Sequence, residues 1–119
     1  MKINVINHTR SLEKPLRVKN CETFLCRLKG LMFTSNIGLD SGILLAHKFE
    51  SRTNAAIHMF FVGMDLGVVW LNNDLELVDL IRAKSWAPIY TPQAPARYIL
   101  EFHPDRLPEF EIGDKLGFE

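Results

Sequence analysis

The chain has 119 residues, with 14 Lys or Arg side chains balanced by 14 Asp or Glu side chains. This length is sufficient for one hydrophobic core and short for two, so we expect a single domain over residues 1–119. Because the formal net charge is zero and no basic cluster occurs, we expect no binding to nucleic acid or to an anionic membrane.

The first residues predict a strand from Lys2 to Asn7. Polar residues at Asn7, His8 and Arg10 interrupt the apolar start before a signal-peptide core or a spanning helix could form. We therefore expect a cytoplasmic protein, unless an export signal has been removed.

One short helix is predicted in the segment from Thr23 to Phe33. Phe24, Leu25 and Leu28 recur at helical spacing. Gly30 follows them and supplies the left-handed residue that commonly ends a helix.

Strands dominate after the helix. Three segments are apolar at both alternating sets of positions, as expected for strands covered on both faces: Gly42 to His47, Ile57 to Val62, and Leu66 to Asn72. Asn72 to Asp74 then predicts a tight turn, and Leu75 to Ala83 is the expected antiparallel partner.

The last third begins with a proline-rich stretch, Trp86 to Ala96, which predicts an extended surface loop. Arg97 to His103 alternates as a strand with one buried and one more polar face, and a final strand is expected from Lys115 to Phe118. Many short strands separated by Gly and Pro turns predict a mainly β fold: a compact antiparallel sandwich or barrel-like domain with one or two short helices.

The order of several motifs resembles the uncharacterised prokaryotic family called domain of unknown function 192. The family pattern of Arg-x-x-Gly-Leu-Met matches Arg27 through Met32. The later counterparts in this chain are Gly42–Leu45, Ile57–Phe61, Val68–Leu71, Tyr98–Glu101 and Gly113–Asp114. The resemblance covers about Cys21 to Phe118 and implies a predominantly antiparallel sandwich, but no activity.

One position departs from the family pattern. The resemblance leads us to expect Pro-Ile/Leu-Asp before the strand that contains Val68, whereas this chain has Asp65-Leu66-Gly67. Positions two apart on an extended chain face the same side, so Asp65 could present the acid expected at Gly67. A structural acid would tolerate this displacement better than a catalytic one.

Arg27, on the flank of the helix, could anchor a carboxylate or phosphate group of a ligand. Alternatively, it could form a structural salt bridge to an acid such as Glu101 or Asp114. Either role leads us to expect a contact between its guanidinium and Glu101, Asp114, Asp65 or a bound anion.

Glu101 shares its strand face with Ile99 and His103. It could act as a general acid or base if a neighbour perturbs its pKa, or it could be solvated or ion-paired. Asp114 follows Gly113 and is most simply a turn residue.

Trp86 and Tyr90 lie on the proline-rich loop. Such aromatic side chains could stack on a sugar, a base or a peptide at low entropic cost, or they could fold back to cap the open end of the sandwich.

Cys21 and Cys26 flank the start of the helix, where diverging side chains disfavour a bridge, so we expect packing residues or free thiols. The four histidines show none of the common metal-ligand spacings, although His58 lies near Asp65 in sequence. We therefore expect no metal site and no cofactor.

These features favour a small binding or accessory module for an unknown small molecule or peptide. One alternative is an enzyme that uses Glu101 with Asp65 or Asp114, oriented by Arg27. Another is a structural or interaction protein, which could form a homodimer through an unprotected strand edge.

Overall fold

In the computed structural model, which describes residues 2–119, seven strands form one curled sheet. The strands are β1 (Lys2–Asn7), β2 (Arg17–Cys21), β3 (Ser41–Ser51), β4 (Leu66–Leu71), β5 (Leu77–Ala83), β6 (Ala96–Phe102) and β7 (Leu116–Phe118). One α-helix, α1 (Phe24–Lys29), follows β2, and a 3₁₀ helix spans Pro104–Glu109. No helix in this part of the chain is long and apolar enough to cross a membrane.

The order of the strands across the sheet is β5-β4-β6-β3-β2-β1-β7. Among these strands, β2 and β3 pair in parallel and all other neighbours pair antiparallel. The two outer strands approach each other through an isolated bridge between Glu76 and Lys115, so the sheet curls towards a barrel. The predicted mainly β, barrel-like fold with short helices is therefore confirmed.

Each face of the sheet covers its own hydrophobic cluster. Trp70 and Ile99 belong to one cluster, and Leu100 and Phe102 belong to the other. Strand β4 is buried along its whole length, as its uninterrupted apolar sequence predicts. Strand β6 is also covered on both faces, so the expectation of one polar face from residue 97 to 103 was wrong.

The segment from Ile57 to Val62 is not a strand, contrary to the prediction. Two of its residues pair with the proline-rich loop instead of a sheet neighbour: Ile57 forms a single bridge with Tyr90, and the Met59 amide donates to the Ala87 carbonyl over 2.9 Å. Ile57, Met59 and Val62 are buried, whereas Phe60 and Phe61 are exposed, so the apolar run reflects a loop that is buried through part of its side chains rather than regular strand pairing.

Cys21 and Cys26 form a disulfide, so the expectation of free thiols was wrong. Cys21 is the last residue of β2 and not part of the helix, and the turn into α1 brings the two Cα atoms to 5.4 Å, a normal separation for a bridge. The side chain of Thr23 caps α1 by accepting from the Cys26 amide, and the helix ends at Gly30 with φ of +47°, as predicted. No residue of α1 is buried.

The disulfide is therefore expected to hold α1 in place, because a six-residue helix without a buried face is marginal in water. Replacing Cys26 with Ser should increase hydrogen exchange at the Arg27 and Gly30 amides, which close the helix, by roughly tenfold or more. The Trp70 amide in the buried β4 strand is the internal control. Unchanged protection of Arg27 and Gly30 would show that the helix does not depend on the bridge.

Gly42 permits close pairing of β3 with β6. A Cβ atom at Gly42 would lie 2.4 Å from the backbone oxygen of Glu101, so the strands would have to separate. We expect Gly42→Ala to lower the free energy of unfolding by about 1–3 kcal/mol, measured by urea denaturation. Gly38→Ala is the matched control, since its nearest contact is the movable carboxylate of Asp40. Equal stability of the two variants would contradict the prediction.

Candidate functional site

A pocket of about 410 Å³ lies between α1, one face of the sheet and the buried loop after β3. The walls are largely apolar, and polar side chains enter from the helix, from β3, from β6 and from the loop. The lining residues are Phe24, Arg27, Leu28, Lys29, Gly30, Leu31, Met32, Leu45, His47, Asn54, Ala56, Ile57, His58, Met59, Val62, Ile99 and Glu101.

Glu101 is the acid in this pocket. It is 5% exposed, and within residues 2–119 its carboxylate makes neither a hydrogen bond within the protein nor an ion pair. Burial raises the pKa of Glu101 to about 7, because removal from water disfavours the charged form. Gly30 leaves space beside it, since a Cβ atom there would lie 3.9 Å from Glu101 Oε1.

Arg27 lines the same pocket but contacts no carboxylate in the described part of the chain, so the expected contact with Glu101, Asp114 or Asp65 is not present. Its Nη1 atom donates to the carbonyl oxygens of Glu22 and Ala46, the latter over 3.3 Å. These backbone acceptors hold the guanidinium between the end of β2 and β3, which explains why it does not reach an acid.

Two histidines also line the pocket. The pKa of His47 is lowered by burial and, secondarily, by the charge of Arg27. His58 accepts a hydrogen bond at Nδ1 from the Phe60 amide over 3.2 Å. Within residues 2–119, no three His, Cys, Asp or Glu side chains are grouped closely enough to hold a metal ion.

The sequence interpretation missed the place of His47 in the pocket. The available signal was the period of two along β3, because Ile43 and Leu45 pack in the same cluster that borders the pocket and His47 continues their alternation. His58 and Met59 could not be placed in this way, because they lie on a loop without a regular period.

Asp114 lies outside the pocket and is held by hydrogen bonds. It is 1% exposed and accepts hydrogen bonds from Arg10, from the Asn7 side chain and from the Glu111 amide. Burial opposes its ionisation, but the bonds from Arg10 and Asn7 outweigh burial and lower its pKa. Asp114 therefore ties the turn before β7 to the end of β1.

Asp65 also lies outside the pocket. It accepts from the Ser85 amide over 3.0 Å and from Arg82 over 3.2 Å. The bond from the Ser85 amide is the main reason that its pKa is lowered. Neither Asp65 nor Asp114 joins Glu101, so the enzyme hypothesis loses both of the second carboxylates that it considered.

Trp86 lies next to the pocket rather than inside it, and its amide donates to the carbonyl of Met59. Its ring centroid is 5.0 Å from that of Phe61, which is 5.3 Å from that of Phe33. Tyr90 is tied into its own loop, because its hydroxyl accepts from the Lys84 amide. The structure thus separates the two aromatic residues that the sequence had grouped.

Two solved structures share this fold. One is a candidate transcription regulator from Sinorhizobium meliloti 1021, with a TM-score of 0.85, 18% identity, and coverage of 98% of this chain and 92% of the other. The other is a protein of unknown function from Novosphingobium aromaticivorans DSM 12444, with a TM-score of 0.80, 18% identity, and coverage of 98% and 84%. Similarity at this identity establishes the fold and nothing about function.

Closer sequence relatives are UPF0127 proteins of archaea. TK1120 of Thermococcus kodakarensis is 39% identical over 97 residues, covering 82% of this chain and 60% of the relative. PH1112 of Pyrococcus horikoshii is 34% identical over 115 residues, covering 94% and 96%. The chain thus spans about three fifths of TK1120. The model of the family DUF192, described as an uncharacterized ACR family, matches residues 5–118, and the chain belongs to this family.

Proposed function

We propose that the protein is a binding module for a small amphipathic molecule that presents a cationic or hydrogen-bond-donating group to Glu101. The observation that carries the proposal is the carboxyl of Glu101, which is 5% exposed, makes no hydrogen bond or ion pair within residues 2–119, and lies at the edge of a largely apolar pocket. An unpaired buried carboxyl is unfavourable, so a partner supplied by a ligand would restore the missing interaction.

The pocket walls suit the apolar part of such a molecule. The pocket volume of about 410 Å³ falls within the ordinary range for small-molecule sites. Leu31, Met32 and Met59 supply apolar surface, and methionine side chains adapt to ligands of different shape.

Glu101 also sets the polar preference of the site. With a pKa of about 7 it can either donate as a carboxylic acid or accept as a carboxylate near neutral pH. An amine would favour the carboxylate form and gain a charge-assisted hydrogen bond. A ligand that ends in a carboxylate would gain less, because it meets the same charge whenever Glu101 is ionised.

An enzyme remains a second candidate because a carboxyl group with a pKa near the operating pH suits general acid or base catalysis. A catalytic partner would have to come from the pocket itself, where His47 is available. Binding is preferred because none of the described residues that line the pocket is a Ser, Thr or Cys that could act as a nucleophile beside a base.

The remaining parts of the proposal are that no cofactor is required and that the protein acts in the cytoplasm. The Cys21–Cys26 disulfide is compatible with this location in an organism that keeps intracellular disulfides, as hyperthermophilic archaea do. A homodimer through a strand edge would have to use β5 or β7 beyond the bridge that already joins Glu76 and Lys115.

Binding can be tested by calorimetry at pH 8 with decylamine, decanol and decanoate, which share one chain and differ in the polar group. Decylamine should bind most tightly, and Glu101→Gln should weaken its binding roughly tenfold or more by removing the buried charge partner. The same substitution should weaken the binding of decanol much less. Glu76→Gln is the control because Glu76 is exposed and outside the pocket. Equal binding of the three probes, or no binding, would contradict the proposal.

The burial of Glu101 also predicts how stability changes with pH. Below pH 4.5 the group is protonated in both states, and between 4.5 and about 7 the unfolded chain loses a proton that the folded chain retains. The free energy of unfolding should therefore fall by about 3 kcal/mol across this window and level off above it.

The measurement is urea denaturation of the parent and of Glu101→Gln from about pH 4 to about pH 8. This range brackets the ordinary and the raised pKa of Glu101. The difference between the two proteins isolates Glu101, since Arg27, His47 and His58 are present in both. Parallel stability profiles of the two proteins would show that folding does not raise the pKa of Glu101.

A further inference from the structure

Exposed hydrophobic side chains are concentrated in three segments of the chain. Within residues 2–119, every large hydrophobic side chain that is exposed, except Phe49 and Ile112, lies in residues 23–39, 51–64 or 80–100. These side chains are Phe24, Leu25, Leu28, Phe33, Leu39, Phe60, Phe61, Trp86 and Ile89. Exposed hydrophobic groups that cluster, unlike single ones, commonly mark an interaction surface.

The same three segments contain no Asp or Glu, although an acid adjoins each of their ends: Glu22, Asp40, Glu50, Asp65, Asp79 and Glu101. Their basic residues are Arg27, Lys29, Arg52, Arg82, Lys84 and Arg97. Arg82 is neutralised by Asp65, which lies just beyond the second segment, and the other five have no acidic partner among the described ion pairs. Lys29 and Lys84 are both exposed and make no described ion pair, so a local positive charge exists that the net charge of zero does not reveal. The expectation of no binding to an anionic membrane rested on that net charge, and the proposal below replaces it.

The segments meet around the mouth of the pocket. Phe24 and Leu28 line the pocket from α1, and Met59 lines it from the loop. The Phe61 ring packs between those of Phe33 and Trp86, and the Trp86 amide binds Met59. We call the surface formed by Phe24, Leu28, Phe33, Phe61 and Trp86, with Arg27, Lys29 and Lys84, the basic aromatic face.

The backbone holds three of these rings outward at a cost. Phe33, Phe61 and Trp86 have φ of +65°, +62° and +65°, a region that bulky residues rarely adopt. Their exposed fractions are 75%, 47% and 54%, so burial in the core does not offset the strain. Strained residues that stay solvent-exposed are typical of binding surfaces rather than of packing.

From these observations we propose that the basic aromatic face docks on a membrane surface that carries anionic headgroups. Phe33, Phe61 and Trp86 enter the boundary between headgroups and acyl chains, where aromatic rings are favoured. Lys29 and Lys84 remain at the level of the lipid phosphates, which attract them, while Arg27 stays on its backbone acceptors and adds positive charge behind them. Phe24, Arg27, Leu28 and Lys29 belong both to this face and to the pocket lining, whereas the remaining members of the face lie outside the pocket.

The charge distribution favours a lipid surface over a second copy of the chain. In a symmetric dimer through this face, the unpaired basic residues of both copies would lie opposite each other and repel. A single-stranded nucleic acid could stack on the aromatic rings, but it would leave the exposed aliphatic side chains of Leu25 and Leu28 without an apolar partner. An anionic bilayer matches both properties.

Trp86 is a built-in reporter, because the other tryptophan, Trp70, is fully buried. Vesicles of equal parts phosphatidylcholine and phosphatidylglycerol should sediment the protein and shift its tryptophan emission to shorter wavelength, whereas pure phosphatidylcholine should do neither. High salt should release the protein. Bromine-labelled acyl chains should quench the shifted emission, since Trp86 would reach them.

Matched variants separate the two contributions. Phe33→Asn with Phe61→Asn removes apolar surface while keeping a residue that tolerates positive φ, and should weaken vesicle binding by roughly tenfold or more. Lys29→Glu with Lys84→Glu should also weaken vesicle binding, and the loss should grow with the fraction of anionic lipid in the vesicles. Phe49→Asn and Lys19→Glu, which are exposed outside the face, should leave binding unchanged.

Three results would overturn the proposal. The first is the absence of binding to the anionic vesicles. The second is equal loss of binding in the Phe49→Asn or Lys19→Glu controls. The third is self-association, or capture of an acidic protein without any vesicle binding, that is abolished by Phe33→Asn with Phe61→Asn, since the face would then serve a protein partner.

Discussion

The pairing of β6 on both of its edges is the constraint on which the site depends. β6 is hydrogen-bonded to β3 on one side and to β4 on the other, and Glu101 lies opposite Ile43 and Val68 in these two pairings. The backbone of Glu101 therefore cannot move outward to expose its carboxyl without breaking two ladders. Gly42 strengthens this constraint by allowing β3 to approach the Glu101 carbonyl closely.

The rest of the molecule offsets the cost of that buried carboxyl. Strand β4 is buried throughout, and the Trp70 indole donates to the Ala55 carbonyl over 2.8 Å. This bond fixes the loop that forms one wall of the pocket to the core. Stability thus comes mainly from the sheet and its two clusters, while α1 and the aromatic rings near it contribute little buried surface.

Features with a local cause could be predicted from the sequence. The hairpin around Asn72–Asp74 and the positive φ of Gly30 follow from turn chemistry, and the structure confirms them. The alternation from residue 97 to 103 predicted the strand β6 but not the burial of its second face. The Cys21–Cys26 bridge could not be predicted, because it depends on the strand ending at Cys21 rather than the helix beginning there.

Features that depend on residues distant in the chain could not be predicted from the sequence either. The buried loop from Ile57 to Val62 pairs with a segment some thirty residues later, and its apolar composition is the same as that of a strand. The partners of Arg27 are backbone carbonyls, and the main partner of Asp65 is the Ser85 amide, and no residue pattern identifies such backbone groups. The buried state of Glu101 likewise depends on which strands flank β6.

The parallel pairing of β2 with β3 places a topological demand on the pocket wall. Parallel neighbours cannot be joined by a tight turn, so the chain between Cys21 and Ser41 must travel back along the sheet before β3 begins. That returning connection contains α1, Gly30 and Met32, which form one side of the pocket. A member of this family can therefore change the side chains that line the cavity, but it cannot discard the segment that carries them and still build the same sheet.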